Sequence, residues 1–226
     1  MRKYSIMSTR IASILSYLFH PLFLVTYMLF YLMAANPYLF SNREEKANGL
    51  MIISVVMTTV FFPVVSISLM KALDLIDSFE MKEKKERVGP LIVTSLFYFW
   101  LYLNVRTNSL VPTPLSCFVL GTVVALFISF FINNFNKISL HAVGMGGLAM
   151  ALILIRINFL YDTFIVNSFV GQFIISTNLI IVLGVILTGL LCTARLSKSA
   201  HNSTQIYLGL VVGMLAQVIG FGIGMR

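Results

Sequence analysis

The sequence predicts an all-α fold, a polytopic transmembrane helical bundle of about six or seven spans, forming one domain over residues 1–226. Three observations lead there. Hydrophobic residues make up 58% of the 226-residue chain and charged residues only 11%, against about 25% charged in ordinary soluble domains. The apolar residues fall in long unbroken runs, close to the roughly 20 residues that a helix needs to cross a bilayer. Nothing alternates with the period of two, over strands of about 10 residues, that a membrane β-barrel requires. A lipid-embedded backbone must satisfy its own N–H and C=O groups, so runs of this kind read as helices.

Taken in order, the first span covers residues 11–34 and contains His20-Pro21. It is too long for a cleavable leader and lacks a small-residue cleavage site, so it reads as a retained helix. A polar loop follows with Asn36, Pro37, Asn42 and Arg43-Glu44-Glu45-Lys46. The second span covers 50–73 and is interrupted by Pro63. Residues 74–90 form the one strongly charged stretch, in which the i,i+4 pairs Glu80–Lys84 and Glu83–Arg87 are also compatible with a juxtamembrane helix. The third span, 91–105, is short and carries an aromatic run at 97–102 that reads as an interfacial belt. The fourth covers 115–132, the fifth 139–157, the sixth 173–192 and the seventh 205–224. Residues 158–172 are mixed and read as an interfacial segment. Cys117 and Cys192 both sit in apolar runs and give no disulfide or metal-binding pattern.

The net charge of +8 would suggest nucleic acid in a soluble protein. Here the cations occupy short loops between spans, where topology and anionic headgroups explain them, so no nucleic acid is expected. Spans alternate direction. The loops at 74–90, 133–139 and 194–204 therefore share one membrane face. They bring Lys82, Lys84, Lys85, Arg87, Lys137, Arg195 and Lys198 together with His201, and with His141 just inside the fifth span. Arginine offers a fork of donors that matches phosphate oxygens. A helix N-terminus adds free N–H groups, and Ser139, Asn202 and Ser203 all stand where a helix begins and can cap it. Histidine can move a proton near neutral pH or act as a nucleophile. The pattern points to phosphate chemistry at a membrane surface.

The same residues carry a resemblance to the type-2 phosphatidic acid phosphatase superfamily, the membrane lipid phosphatases related to vanadium haloperoxidases. That family has three motifs in order: Lys-x6-Arg-Pro, Pro-Ser-Gly-His and Ser-Arg-x5-His-x3-Asp. The third resembles Ala194-Arg195, five residues, His201, three residues, Gln205. The second resembles Ile138-Ser139-Leu140-His141, and the first, most loosely, Lys82 to Arg87 and Pro90 with Lys84 and Lys85 as competing lysines. Equal intervals separate Arg87 from His141 and His141 from Arg195, each wide enough for a helical hairpin. The resemblance covers roughly residues 80–215.

It implies that His201 attacks phosphorus and that His141 protonates the leaving oxygen. It also implies that Arg87, Arg195, Ser139 and one of Lys82 or Lys84 hold the phosphate, with no cofactor and no metal. Gln205 stands where the family has the aspartate that orients the nucleophile. Glutamine can accept a hydrogen bond from imidazole but brings no charge to an imidazolium. The expected activity is removal of phosphate from a lipid phosphate or polyprenyl diphosphate. The alternatives are a catalytically inactive relative that binds anionic lipid headgroups, favoured by Gln205, and a small transporter or flippase, for which His20 and Pro63 within spans are the support.

His20, deep in the first span, is a functional candidate as an intramembrane ionisable group and equally a filler of the backbone hydrogen-bond gap beside Pro21; it is left out of the site. Gly144, Gly146 and Gly147 read as helix packing, and Arg156 and Asp162, on the opposite face, as structural. By Lys and Arg count the motif face is the cytoplasmic one. With Lys82, Lys84, Arg87, Lys137 and Arg195 set aside as site cations, the two faces are nearly balanced.

Overall fold

The computed structural model describes residues 7–41, 45–81, 83–160, 162–168 and 171–226. Among these, seven helical spans are long and apolar enough to cross a membrane: Thr9–Ala35, Lys46–Ala72, Lys85–Thr107, Thr113–Phe135, Leu140–Phe159, Thr177–Ser197 and Ser203–Gly224. The protein is an all-α polytopic bundle. Spans three and four reach 23 residues each, enough for full crossings, so the loops that parity assigns to one face do share it.

The first span is three pieces: α1 (Thr9–Leu18), a 3-10 turn (Pro21–Phe23) and α2 (Leu24–Ala35). A four-residue helix, α3 (Tyr38–Ser41), follows. The second span is α4 (Glu45–Val56), a π-turn (Met57–Phe61) and α5 (Phe62–Ala72). The remaining spans are α6 (Val88–Thr107), entered through a 3-10 turn (Lys85–Arg87), then α7 (Thr113–Phe135), α8 (Leu140–Phe159), α9 (Thr177–Ser197) and α10 (Ser203–Gly224).

Proline explains both interrupted spans, because it removes a backbone donor and crowds the preceding turn. Pro63 cannot donate to the carbonyl of Thr59, and the hydroxyl of Tyr98 on α6 donates to that carbonyl instead, at 3.4 Å. Pro21 ends α1 and leaves several carbonyls without helical partners. The His20 N–H turns to Tyr17 O at 3.3 Å. Tyr27 Oη then donates to Leu18 O at 2.8 Å, and His141 on α8 reaches Ser16 O at 3.0 Å.

The core of the bundle is built around Leu29, Leu32, Tyr98, Phe118, Leu152, Ile155 and Phe221. Helix α10 packs most closely, against α8 and α7, through small residues that let backbones approach. A Cβ on Gly213 would run into Val143 O and the Gly147 amide, and one on Gly220 would strike the backbone of Gly121. Backbone cannot move aside as a flexible side chain can. Gly213→Ala is therefore expected to destabilise the bundle by about 1–3 kcal/mol, measured as a lower detergent unfolding midpoint. Gly189→Ala, with open space around the glycine, leaves the midpoint near wild type.

Four expectations are corrected. The mixed segment expected over 158–172 is not irregular throughout: residues 163–168 and 171–176 are strands. They form an antiparallel hairpin, β1 (Thr163–Ser168) with β2 (Gly171–Ser176), registered from Thr163↔Ser176 to Ser168↔Gly171. Phe164, Ile165, Val166, Phe173, Ile174 and Ile175 have the β-branched and aromatic character that suits strands. The sixth span accordingly starts at Thr177, four residues later than the apolar run. The third span starts six residues before its apolar run, because buried Arg87 belongs to the folded end of the helix. The aromatic run at 97–102 then lies well inside the span, with Tyr98 2% exposed, rather than at an interface. Among the described residues of the charged stretch no helix precedes Lys85; the stretch is turned, with positive φ at Asp74 and Met81. Arg2, Lys3, Asn42, Arg43, Glu44, Lys82 and Tyr161 lie outside the described residues.

Candidate functional site

At the motif face the loops are tied to one another by side chains. Arg87 is 7% exposed. Its Nε donates to Met81 O at 2.9 Å and its Nη1 to Ile138 O at 3.0 Å. Lys84 Nζ donates to Phe135 O at 2.9 Å, and Asn133 Nδ2 returns a bond to Lys84 O at 2.9 Å. The Ser139 N–H donates to Gln205 O at 3.4 Å. The loops at 74–90 and 133–139 and the start of α10 thus form one connected end.

Ser139 and Asn202 are the N-caps expected of them. Ser139 Oγ accepts from Ala142 N at 3.5 Å, and Asn202 Oδ1 accepts from Gln205 N at 2.9 Å. The cap at Asn202 sets the first turn of α10 and so fixes where Gln205 points. Gln205 Oε1 lies 2.8 Å from His201 Nδ1. An amide oxygen only accepts, so Nδ1 carries the proton and the lone pair sits on Nε2. On α8, His141 Nε2 lies 3.0 Å from Ser16 O. That carbonyl also only accepts, so Nε2 donates and Nδ1 is left for other work. Arg195, at the end of α9, donates from Nη1 to Ser16 Oγ at 3.4 Å. Its Nε is buried with no hydrogen-bond partner, a donor that the protein itself leaves open.

Arg87, Arg195, His141 and His201 all line one cavity of about 180 Å³. Phe79, Glu80 and Met81 border it on the loop side, and Leu91, Tyr98, Phe118, Leu126 and Val143 wall it within the bundle. The cavity therefore has a cationic, histidine-rich part continuous with an apolar part, as a ligand with an anionic head and an apolar tail would require. Burial pushes the His201 imidazole down to about 4, with the Gln205 hydrogen bond opposing and Arg87, Arg195 and Lys137 adding to the fall. At neutral pH His201 is uncharged and its Nε2 lone pair is available. Lys137 is likewise held below its usual range by burial and by Arg87 and Arg195.

The structure brings together four of the eight residues expected at the site and places Gln205 behind one of them. Ser139 and Lys84, expected as phosphate contacts, stand elsewhere. Ser139 is fully buried as a helix cap, and the long Lys84 side chain lies along the C-terminal end of α7, where it satisfies an unpaired carbonyl. Neither lines the cavity. Lys198, a loop cation, reaches Ser13 Oγ at 3.2 Å. Arg156 and Asp162 pair with each other at the far face.

One lining residue was missed. His20 faces the same cavity, with its ring 5.2 Å from that of His141 at an interplanar angle of 89°. The pairing of an intramembrane histidine with a proline was the signal available in the sequence. Among the described residues no group of three or more His, Cys, Asp or Glu is arranged to hold a metal ion. In comparisons with family models, curated proteins and solved structures, nothing matches the chain.

Proposed function

We propose that the protein is a lipid phosphatase resembling the type-2 phosphatidic acid phosphatases. It would act on a lipid phosphate or polyprenyl diphosphate in a bacterial inner membrane. The observation that carries this reading is the convergence of His201, His141, Arg87 and Arg195, drawn from three separate helices and a loop, on one cavity with apolar walls.

His201 Nε2 attacks phosphorus while the bond from phosphorus to the lipid oxygen breaks. The electron pair stays on that oxygen. In its doubly protonated form His141 anchors Nε2–H on Ser16 O and delivers the Nδ1 proton to the leaving oxygen. The Ser16 carbonyl takes the orienting part that a carboxylate plays elsewhere. Water then attacks the phosphohistidine and returns its proton to His141, releasing inorganic phosphate and free His201. Charge on the transferring group is met by Arg195, whose Nε is open, and by Arg87. Two guanidiniums supply the electrostatic stabilisation that phosphoryl transfer chiefly needs.

The test is phosphate release by the purified protein in detergent from phosphatidate, phosphatidylglycerol phosphate and undecaprenyl diphosphate, with and without a chelator. Release that persists with chelator, together with an acid-labile phosphoprotein intermediate, supports the proposal. No release from any of the three sinks it and favours the second reading, an inactive relative that binds anionic headgroups, for which the uncharged Gln205 speaks.

A further inference from the structure

The broken first span contributes a residue to the cavity that the phosphatase reading does not use. His20 sits between α1 and the 3-10 turn, and its Nδ1 accepts from Leu22 N at 3.4 Å as the cap of that turn. That bond fixes the tautomer: Nδ1 holds the lone pair and Nε2 holds the proton. A capped, neutral imidazole cannot readily give its proton away, because protonating Nδ1 would break the cap. It can donate a hydrogen bond from Nε2. Its ring stands edge-on to that of His141, centroids 5.2 Å apart, and both line the same cavity.

We propose that His20 is a substrate-positioning residue, donating from Nε2–H to the oxygen that links phosphate to lipid and holding that oxygen against His141 Nδ1. This rests on the phosphatase reading. Three histidines then divide the work. His201 forms the bond to phosphorus, His141 supplies the proton, and His20 aims the leaving oxygen without changing its own protonation. The break before Pro21 serves both neighbours, since it exposes the Ser16 carbonyl that orients His141 and turns the His20 ring inward.

The substrate pair that tests this differs in its need for help at the leaving oxygen. A lipid alkoxide is a poor leaving group, whereas the phenolate of 4-nitrophenyl phosphate departs with little assistance. The variant of choice is His20→Asn, because a carboxamide oxygen still caps the Leu22 N–H while the donor at Nε2 is gone. Expected is a fall of about 10²-fold in kcat on phosphatidate, the loss typical of one preorganised donor. The fall on 4-nitrophenyl phosphate is at least about tenfold smaller, because acid assistance matters least where the leaving group is good. The melting temperature stays near wild type.

His20→Gln, whose amide N–H reaches further, recovers part of the phosphatidate rate. If His20→Asn proves unstable, recovery or its absence in His20→Gln decides the matter. Equal losses on both substrates, wild-type rates in His20→Asn, or no recovery in His20→Gln beside an active wild type overturns this inference alone. A wild type that releases no phosphate from either substrate overturns the phosphatase reading and this one with it.

Discussion

On the phosphatase reading, His201→Ala is expected to lower phosphate release by about 10⁶-fold, the scale seen when a covalent nucleophile is removed from a hydrolase, with no phosphoprotein intermediate trapped. The loss is expected to be this large because no neighbour can take over the attack. His141 already has Nε2 on Ser16 O, and His20 has Nδ1 on Leu22 N. With His141 doubly protonated for its part as the acid, His201 is the histidine that presents a free lone pair, on Nε2, to phosphorus. The substitution removes one side-chain hydrogen bond, that to Gln205, so the unfolding midpoint changes little. A variant that retains more than about one per cent of wild-type turnover would show that another group is the nucleophile. Rapid quench with acid or alkali, which separates phosphohistidine from phosphoserine, would find it.

Gln205 is the position where two substitutions should move the proposed activity in opposite senses. Gln205→Leu keeps the volume but removes the acceptor for His201 Nδ1–H. The ring is then free to adopt the other tautomer, and a wrong tautomer costs up to about 10⁴-fold in a serine protease triad. Gln205→Glu keeps the oxygen 2.8 Å from Nδ1 and adds a negative charge. An opposite charge at this distance favours the imidazolium, so the His201 value rises from about 4 toward and past its ordinary range.

The sign follows directly for the pH profile. In the wild type the acid limb of kcat/KM should lie near pH 4, where His201 takes up a proton and the nucleophile is lost. In Gln205→Glu the same acid limb appears at higher pH, while kcat above that limb rises because the charge that builds on the attacking ring is now compensated. Folding stability carries the same signature. The unfolded chain binds a proton at His201 near pH 6.5 and the folded chain near 4. The His201 contribution is therefore present in full above about pH 6.5 and declines as pH falls toward 4. An acid limb that does not move in Gln205→Glu would place the titrating group elsewhere.

Much of the arrangement was legible in the sequence, for physical reasons. His201, Arg195 and Gln205 lie within one loop and the two helix ends beside it, where spacing translates almost directly into geometry. His141 follows from Ser139, because a cap fixes the orientation of the turn after it. The lysines were less readable. Their stems are long, and Lys84 is placed by an unpaired carbonyl at the end of α7, a partner that sequence spacing does not reveal. His20 was less readable too, because Pro21 offers it a backbone hydrogen-bond gap to fill as readily as a site to line. The helix ends at Leu18, and the cavity descends from the loops to meet it. The hairpin at 163–176 was hidden because its second strand is apolar and runs without a break into the apolar start of α9.

The bracing of the motif face by Arg87 makes ligand occupancy and heat resistance two readings of one equilibrium. Arg87 binds carbonyls in two different loops while also lining the cavity, so an anion that engages it can bind only when those loops are joined. Inorganic phosphate should then raise the melting temperature with concentration. At about 100 times its dissociation constant the shift corresponds to about 2.7 kcal/mol. Arg87→Met would melt lower and would also lose its response to phosphate. A variant damaged in packing alone, such as Gly213→Ala, would melt lower and keep the response. Differential scanning of these two proteins against phosphate therefore separates a chain that has lost its scaffold from one that has lost its ligand, before any substrate is known.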